Sequence, residues 1–195
     1  MQQDKPGDAG WNGLIMAGGR SRRMGRDKAM LDWEGRPLLS HMQHLLRQAG
    51  ANEVVISGDY PGYGGIPDVH ADEGPMSALA QMLPHLGDGT WVLVPVDMPR
   101  LSRSLLDVLL AAPAVCAALR DHPLPMVLRI DDMTRRIVHA TGARPGRERS
   151  FRSLMDALPC RILDDAPWRD ELVNCNTPEQ WNALQAAAPA RNVGG

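Results

Sequence analysis

Aromatic side chains are scarce: one phenylalanine, two tyrosines and five tryptophans among 195 residues. Together with a formal net charge of −2, that scarcity argues against broad nucleic-acid binding, which uses a basic face with stacking rings. Cysteine is also sparse. Cys116, Cys160 and Cys175 are odd in number and show no C-x-x-C spacing, so they read as isolated core thiols in a reducing compartment and exclude a disulfide framework or zinc site. No apolar run is long enough for a membrane span: the longest, around "LLDVLLAAPAVCAAL", is broken by Asp107 and Pro113. The opening "MQQDKPGDAG" lacks the apolar core of a secretory signal, and the expected location is the cytoplasm. Lysine is nearly missing. Of 21 basic residues only Lys5 and Lys28 are lysines, and the rest are arginine.

The size and the 44% hydrophobic content fit one domain, 1–195, that folds without disulfides or a structural metal. Residues 1–10 and 188–195 are expected to be disordered tails. The chain shows no internal repeat, and a monomer is expected.

What is abundant is local. "LIMAGGRSRRMGRDKAML" places an apolar run, two adjacent glycines and a dense block of positive charge side by side. Arg20, Arg22, Arg23, Arg26 and Lys28 face one acid, Asp27, although the whole chain is slightly negative. Such crowding is repulsive unless an anion sits among the cations. The local character of the block points to a small partner. The surviving lysine suggests a place where a compact ammonium fits and a planar guanidinium does not.

Short apolar runs alternate with helical patterns, which predicts an α/β domain with a mostly parallel sheet. Strands are expected at 13–17 ("GLIMA"), 53–57 ("EVVIS") and 91–96 ("WVLVPV"). Two more, "AVCAALR" and "PMVLRI", form an antiparallel pair at one edge; "CRILD" is a further strand and "ELVNCN" a final extended segment. Helices are expected in "PLLSHMQHLLRQAG" with Gly50 as stop, "MSALAQMLPHL", "SRSLLDVLLAA" with Ser102 as N-cap, "RSFRSLMDAL" and "TPEQWNALQAA". In the last, Thr177, Pro178 and Gln180 form a capping box.

In an open parallel sheet, ligands bind at the carboxyl ends of the strands. Three features would meet there: the glycine–arginine loop, Ser57 with Gly58, and Asp97 after "WVLVPV". Gly18 and Gly19 let backbone approach a ligand closely, and their N–H groups can cradle an anion. The loop is neither a P-loop nor a dinucleotide fingerprint, since G-x-x-x-x-G-K-[ST] and G-x-G-x-x-G are both missing. Asp97 is either a turn residue before Pro99 or the carboxylate that a magnesium ion arriving with a triphosphate would take from the protein.

"AGGRSRRMGRDK" resembles the AGG-x-S-x-RMG-x-DK signature of the molybdenum cofactor guanylyltransferases, nucleotidyltransferases with a Rossmann-like fold; Gly18, Gly19, Ser21, Arg23, Met24, Gly25, Asp27 and Lys28 fall on it. "GPMSAL", "VPVDMPRLS", "RDHPLP" and "VNCNTPEQW" resemble further family segments in the same order. The resemblance implies a doubly wound, three-layer α/β/α nucleotidyltransferase fold. It also implies an activity: transfer of GMP from GTP to the terminal phosphate of Mo-molybdopterin, with Mg²⁺ as cofactor and pyrophosphate released. It assigns nucleotide contacts to Met16, Ala17, Gly18, Gly19, Ser21, Arg23, Lys28, Ser57, Asp68 and Asp97, catalysis to Arg23, Lys28 and Asp97, the metal to Asp97, and acceptor contacts to Asn174 and Asn176.

Ser57 stands where family members commonly carry Asn, and either Asp68 or Asp72 takes the place of the acid that helps hold the nucleoside; both departures bear on base choice. On the residues alone, Asn174 and Asn176 are equally loop-satisfying groups, His122 is a strand-entry residue or an acceptor contact, and the basic "ARPGRERSFR" is an acceptor contact or a solvated helix start. Transient contacts with proteins that deliver molybdopterin or receive the product are expected, and contacts with nucleic acid or membrane are not. Competing readings are a cytidylyl or sugar-phosphate nucleotidyltransferase and a non-catalytic nucleotide-binding cofactor chaperone.

Overall fold

The computed structural model describes residues 10–18, 27–69 and 73–186. The two expected tails, apart from Gly10, fall outside them, as does most of the glycine–arginine loop.

The first strand, β1 (Trp11–Met16), leads to a small hairpin of β2 (Asp32–Trp33) and β3 (Arg36–Pro37), then helix α1 (Leu38–Ala49) and β4 (Val54–Ser57). Helix α2 (Pro75–Met82), β5 (Gly89–Pro95), α3 (Arg103–Leu110), β6 (Cys116–Leu119) and β7 (Met126–Ile130) follow. The chain continues through α4 (Asp132–Gly142), α5 (Phe151–Ala157), β8 (Cys160–Leu163) and α6 (Pro178–Ala186). Six strands form one sheet in the order β4-β1-β5-β7-β6-β8. All run the same way except β7, which is antiparallel to both neighbours.

Alternation along the central strands divides the core. On β1, Leu14 and Met16 face one side and Ile15 the other; on β5, Trp91 and Leu93 face the first side and Val92 and Val94 the second. One face carries Leu38, Leu39, Met42 and Leu46 of α1, Leu105, Leu106 and Leu109 of α3, and Trp181 and Leu184 of α6. The opposite face carries Met76, Leu79 and Met82 of α2, Val138 of α4, and Phe151, Leu154 and Met155 of α5. Helices thus cover both faces, which is why the buried stretches, 14–16 of β1 and 91–94 of β5, are continuously apolar. This is the expected three-layer α/β fold.

Local signals hold where they depend on neighbours in sequence. Gly50 ends α1 in the left-handed conformation (φ 107°), its N–H bonded to the Arg47 and Leu46 carbonyls. Ser102 Oγ accepts from Leu105 N at 3.2 Å. Thr177 Oγ1 accepts from Gln180 N at 3.3 Å while Gln180 Oε1 accepts from Thr177 N at 3.2 Å, completing the box.

Three expectations need correction, and one helix escapes the sequence pattern. The antiparallel strand is interior, because the short connection after β6 sends the chain straight back and β7 inserts between β5 and β6. "ELVNCN" is no strand but turns followed by an irregular run. Helix α4 was not anticipated: its buried stripe is Thr134, Val138 and Thr141, two of them polar, so periodicity in apolar residues misses it. Two of the three cysteines are not isolated, since Cys116 and Cys160 are register partners on β6 and β8.

Candidate active site

The parallel pairing of β1 with β4 and β5 puts Ala17, Ser57 and Asp97 on one edge. At that edge Ala17 N donates to Ser57 O at 2.9 Å and Val96 N to Met16 O at 3.2 Å. Beyond it Gly18 leaves the sheet.

Lys28 returns the chain to this edge. Asp27 caps a single 3₁₀ turn, Lys28–Met30, its Oδ1 accepting from Ala29 N at 3.0 Å, and the fully buried Ala29 anchors that turn in the core. Lys28 Nζ then lies 3.2 Å from Asp97 Oδ2 and donates to Asn176 Oδ1 at 2.6 Å. The lysine and aspartate side chains keep 16% and 20% of their exposure. The ammonium is therefore held in a partly dry crevice, where charge-assisted bonds contribute about 1.5–3 kcal/mol each.

Asn176 reaches this point through α6. Trp181 of that helix meets Trp33 of the hairpin edge-on at 5.7 Å, and Cys175 N donates to Asp97 O at 3.0 Å. These contacts dock an irregular segment against the end of β5. Burial pushes the Cys175 thiol up to about 11, Asp97 adding to the effect and Lys28 opposing it, so this sulfur is a packing group and no nucleophile.

A second cluster lies at the exit of β4. The loop after it folds back, Ser57 bridging to Ile66 in parallel fashion, and brings Asp68 to Ser57, whose Oγ donates to Asp68 Oδ1 at 3.0 Å. Asp68 Oδ2 lies so close to Gly18 that a Cβ there would collide with it. Of the two acids considered for the nucleoside, Asp68 is thus at the site, and Asp72 falls outside the described residues.

Tyr60 joins the two clusters. Its hydroxyl donates to Asp27 Oδ1 at 2.9 Å and also lies 3.4 Å from Ala17 O, tying the far end of the cationic loop to its start. Burial, then the Asp27 bond, raises its pKa well above the ordinary phenol value. The sequence reading missed Tyr60; the available signal was one of only two tyrosines set in a glycine–proline loop.

Met16, Ala17, Gly18, Lys28, Ser57, Asp68, Asp97 and Asn176 accordingly gather at one edge, with Asn174 half-buried in the segment that carries Asn176. Gly19, Ser21 and Arg23 lie outside the described residues. His122 lies in the turn between β6 and β7, its Nε2 4.0 Å from Asp165 Oδ2. Arg149 of the basic segment pairs with Glu73 at 2.9 Å. Among the described residues no cluster of three or more His, Cys, Asp or Glu side chains gathers, and no helix is long and apolar enough to cross a membrane.

Residues 13–161 match the MobA-like NTP transferase domain. The chain is 52% identical over 177 residues to a molybdenum cofactor guanylyltransferase of Xanthomonas euvesicatoria, covering 89% of this chain and 94% of that one. It belongs to this family. A Pseudomonas paraeruginosa relative of the same name is 32% identical over 188 residues, covering 85% and 90% of the two chains. The fold is shared with molybdopterin-guanine dinucleotide biosynthesis protein A from Archaeoglobus fulgidus (TM-score 0.70, 17% identity, 90% of this chain and 97% of that one). A nucleotidyl transferase from Methanothermobacter has it too (TM-score 0.72, 15% identity, 90% and 96%). The protein is therefore a nucleotidyltransferase of molybdenum cofactor biosynthesis, an enzyme class that generally uses a divalent metal.

Proposed function

We propose that the enzyme transfers GMP from GTP to the terminal phosphate of Mo-molybdopterin, releasing pyrophosphate, and that the Lys28–Asp97–Asn176 crevice is where donor and acceptor meet. The observation carrying this reading is the single ammonium that contacts both a carboxylate at the end of β5 and an amide from the segment before α6.

The triphosphate would lie over the exit of β1, with the backbone of Met16, Ala17, Gly18 and Gly19 and the hydroxyl of Ser21 as its floor, and Arg23 and Lys28 as its cations. Ser57 and Asp68, already hydrogen-bonded to each other, would face the nucleoside. Asn174 and Asn176 would meet the pterin, since an amide offers both a donor and an acceptor to its ring edge.

Asp97 fits Mg²⁺. Its carboxylate already faces a cation at 3.2 Å, and this ion takes one or two protein carboxylates with substrate phosphates completing its shell. When bound there, it polarises the α-phosphate and offsets the charge that develops on transfer. The chain's own part is positioning and charge neutralisation: Lys28 and Arg23 hold the departing pyrophosphate, and Asn176 orients Lys28. The attacking phosphate is an anion at neutral pH, so no side chain need remove a proton from it.

Incubation with Mo-molybdopterin, Mg²⁺ and either GTP or CTP tests the assignment. Pyrophosphate and a guanine dinucleotide product should form with GTP, and only when the pterin is present. Equal turnover with CTP would overturn the guanine assignment, and no turnover with either nucleotide would favour a chaperone.

A further inference from the structure

Cys116 and Cys160 begin β6 and β8 and are direct register partners there. Both strands run parallel to β1, so the two sulfurs lie at the amino edge of the sheet, opposite Asp97. The sulfurs are 2.6 Å apart. Neighbouring strands are spaced by about 4.8 Å, inside the Cα range of roughly 4.4–6.8 Å that a disulfide spans, so the register brings these two residues within disulfide reach.

The two thiols differ. Cys116 is fully buried, whereas Cys160 is half-buried and lines a cavity of about 340 Å³ with Arg120, Arg152, Met155, Asp156 and Ile162. That volume is in the small-molecule range, and its two guanidiniums outnumber the one carboxylate, Asp156, leaving a net positive lining that suits a carboxylate.

We propose that Cys160 and Cys116 form a reversible thiol–disulfide pair, oxidised by a small carboxylate-bearing disulfide that seats in the cavity over Cys160. The Cys160 thiolate attacks one sulfur of that disulfide; its S–S bond breaks, and one small thiolate leaves and takes up a proton. Cys116 loses its proton and attacks the Cys160 sulfur of the mixed disulfide, expelling the second small thiolate. The protein has then lost two electrons and the small disulfide has become two thiols. The order of attack follows from access: Cys160 opens onto the cavity, whereas Cys116 is fully buried. Contact with Cys160, together with burial, pushes the Cys116 thiol up, so it is the second to react. The product links positions 44 apart and staples edge strand β8 to the sheet, constraining the unfolded chain.

Glutathione disulfide serves as the probe, with intact mass and peptide mapping as readouts. The wild-type protein should lose two hydrogens, yield a Cys116–Cys160 cross-linked peptide, melt several degrees higher and revert with dithiothreitol. Cys116→Ser should retain one glutathionyl group on Cys160, and Cys160→Ser should leave Cys116 unmodified. Arg152→Ala should slow the reaction with glutathione disulfide several-fold without slowing that with uncharged hydroxyethyl disulfide. The pair is refuted if wild type gives no Cys116–Cys160 peptide, a readout that stands even where a variant fails to fold. The anionic-ligand assignment is refuted if Arg152→Ala slows both disulfides alike or neither.

Discussion

Lys28 Nζ sits 2.6 Å from Asn176 Oδ1, although 148 positions separate them in the chain. The cationic loop and the segment before the last helix are therefore coupled through one hydrogen bond. Asn176→Ala should remove this contact to Lys28 and raise KM for the pterin substrate, with GTP affinity falling less than about tenfold, the equivalent of one hydrogen bond. Steady-state kinetics with each substrate varied in turn separates the two; an unchanged pterin KM would contradict the role given to Asn176.

Asp97 and Lys28 should respond differently to removal. Asp97→Asn keeps the shape but loses the charge, and turnover should fall by at least about 10²-fold, as expected for several kcal/mol of lost electrostatic stabilisation, while GTP still binds. Lys28→Ala should weaken GTP binding by roughly ten- to a hundredfold. Calorimetry with GTP reads both, and unaltered affinity in Lys28→Ala would remove the cradle.

Tyr60→Phe deletes the hydroxyl that ties Asp27 to the exit of β1 and keeps the ring. Loss of one hydrogen bond should cost about 0.5–1.5 kcal/mol and reduce kcat/KM for GTP several-fold through a looser loop. Chemical denaturation and kinetics check the two effects, and wild-type kinetics would show that the tether has no part in catalysis.

Gly18→Ala places a methyl against the Asp68 carboxylate. That carboxylate is the end of a flexible side chain and can swing away, so the fold should survive with a cost near that of the lost Ser57 bond, about 1 kcal/mol. Nucleotide affinity should fall more than stability. Equal GTP affinity in Gly18→Ala and wild type would place the ligand elsewhere.

His41 carries a pH dependence of stability. Its Nε2 lies 2.9 Å from Pro99 O, its ring meets Trp33 edge-on at 6.3 Å, and burial lowers its pKa from the ordinary 6.5 despite the opposing pull of that carbonyl. The unfolded chain takes up a proton near 6.5 and the folded chain only at lower pH, so unfolding binds a proton between these values. Stability should fall as pH drops from about 6.5 towards the depressed folded value. His41→Gln should flatten that part of the curve in urea titrations; parallel curves would exclude His41 as the cause.

The sequence by itself determined what depends on near neighbours. Apolar runs gave the buried strands, periodicity gave α1 and α3, Ser102 and Thr177 gave the caps, and the glycine pair before a block of cations marked the loop. Lys28 stood out because arginine is used nearly everywhere else. Only the tertiary structure decided which distant groups meet. That Lys28 reaches Asn176 depends on α6 docking Trp181 against Trp33, and that Cys116 faces Cys160 depends on β7 entering the middle of the sheet. The interior place of β7, the polar stripe of α4 and the bond from Tyr60 to Asp27 follow from strand order and loop return. Those are set by burial summed over the whole chain, a quantity that no short stretch of residues contains.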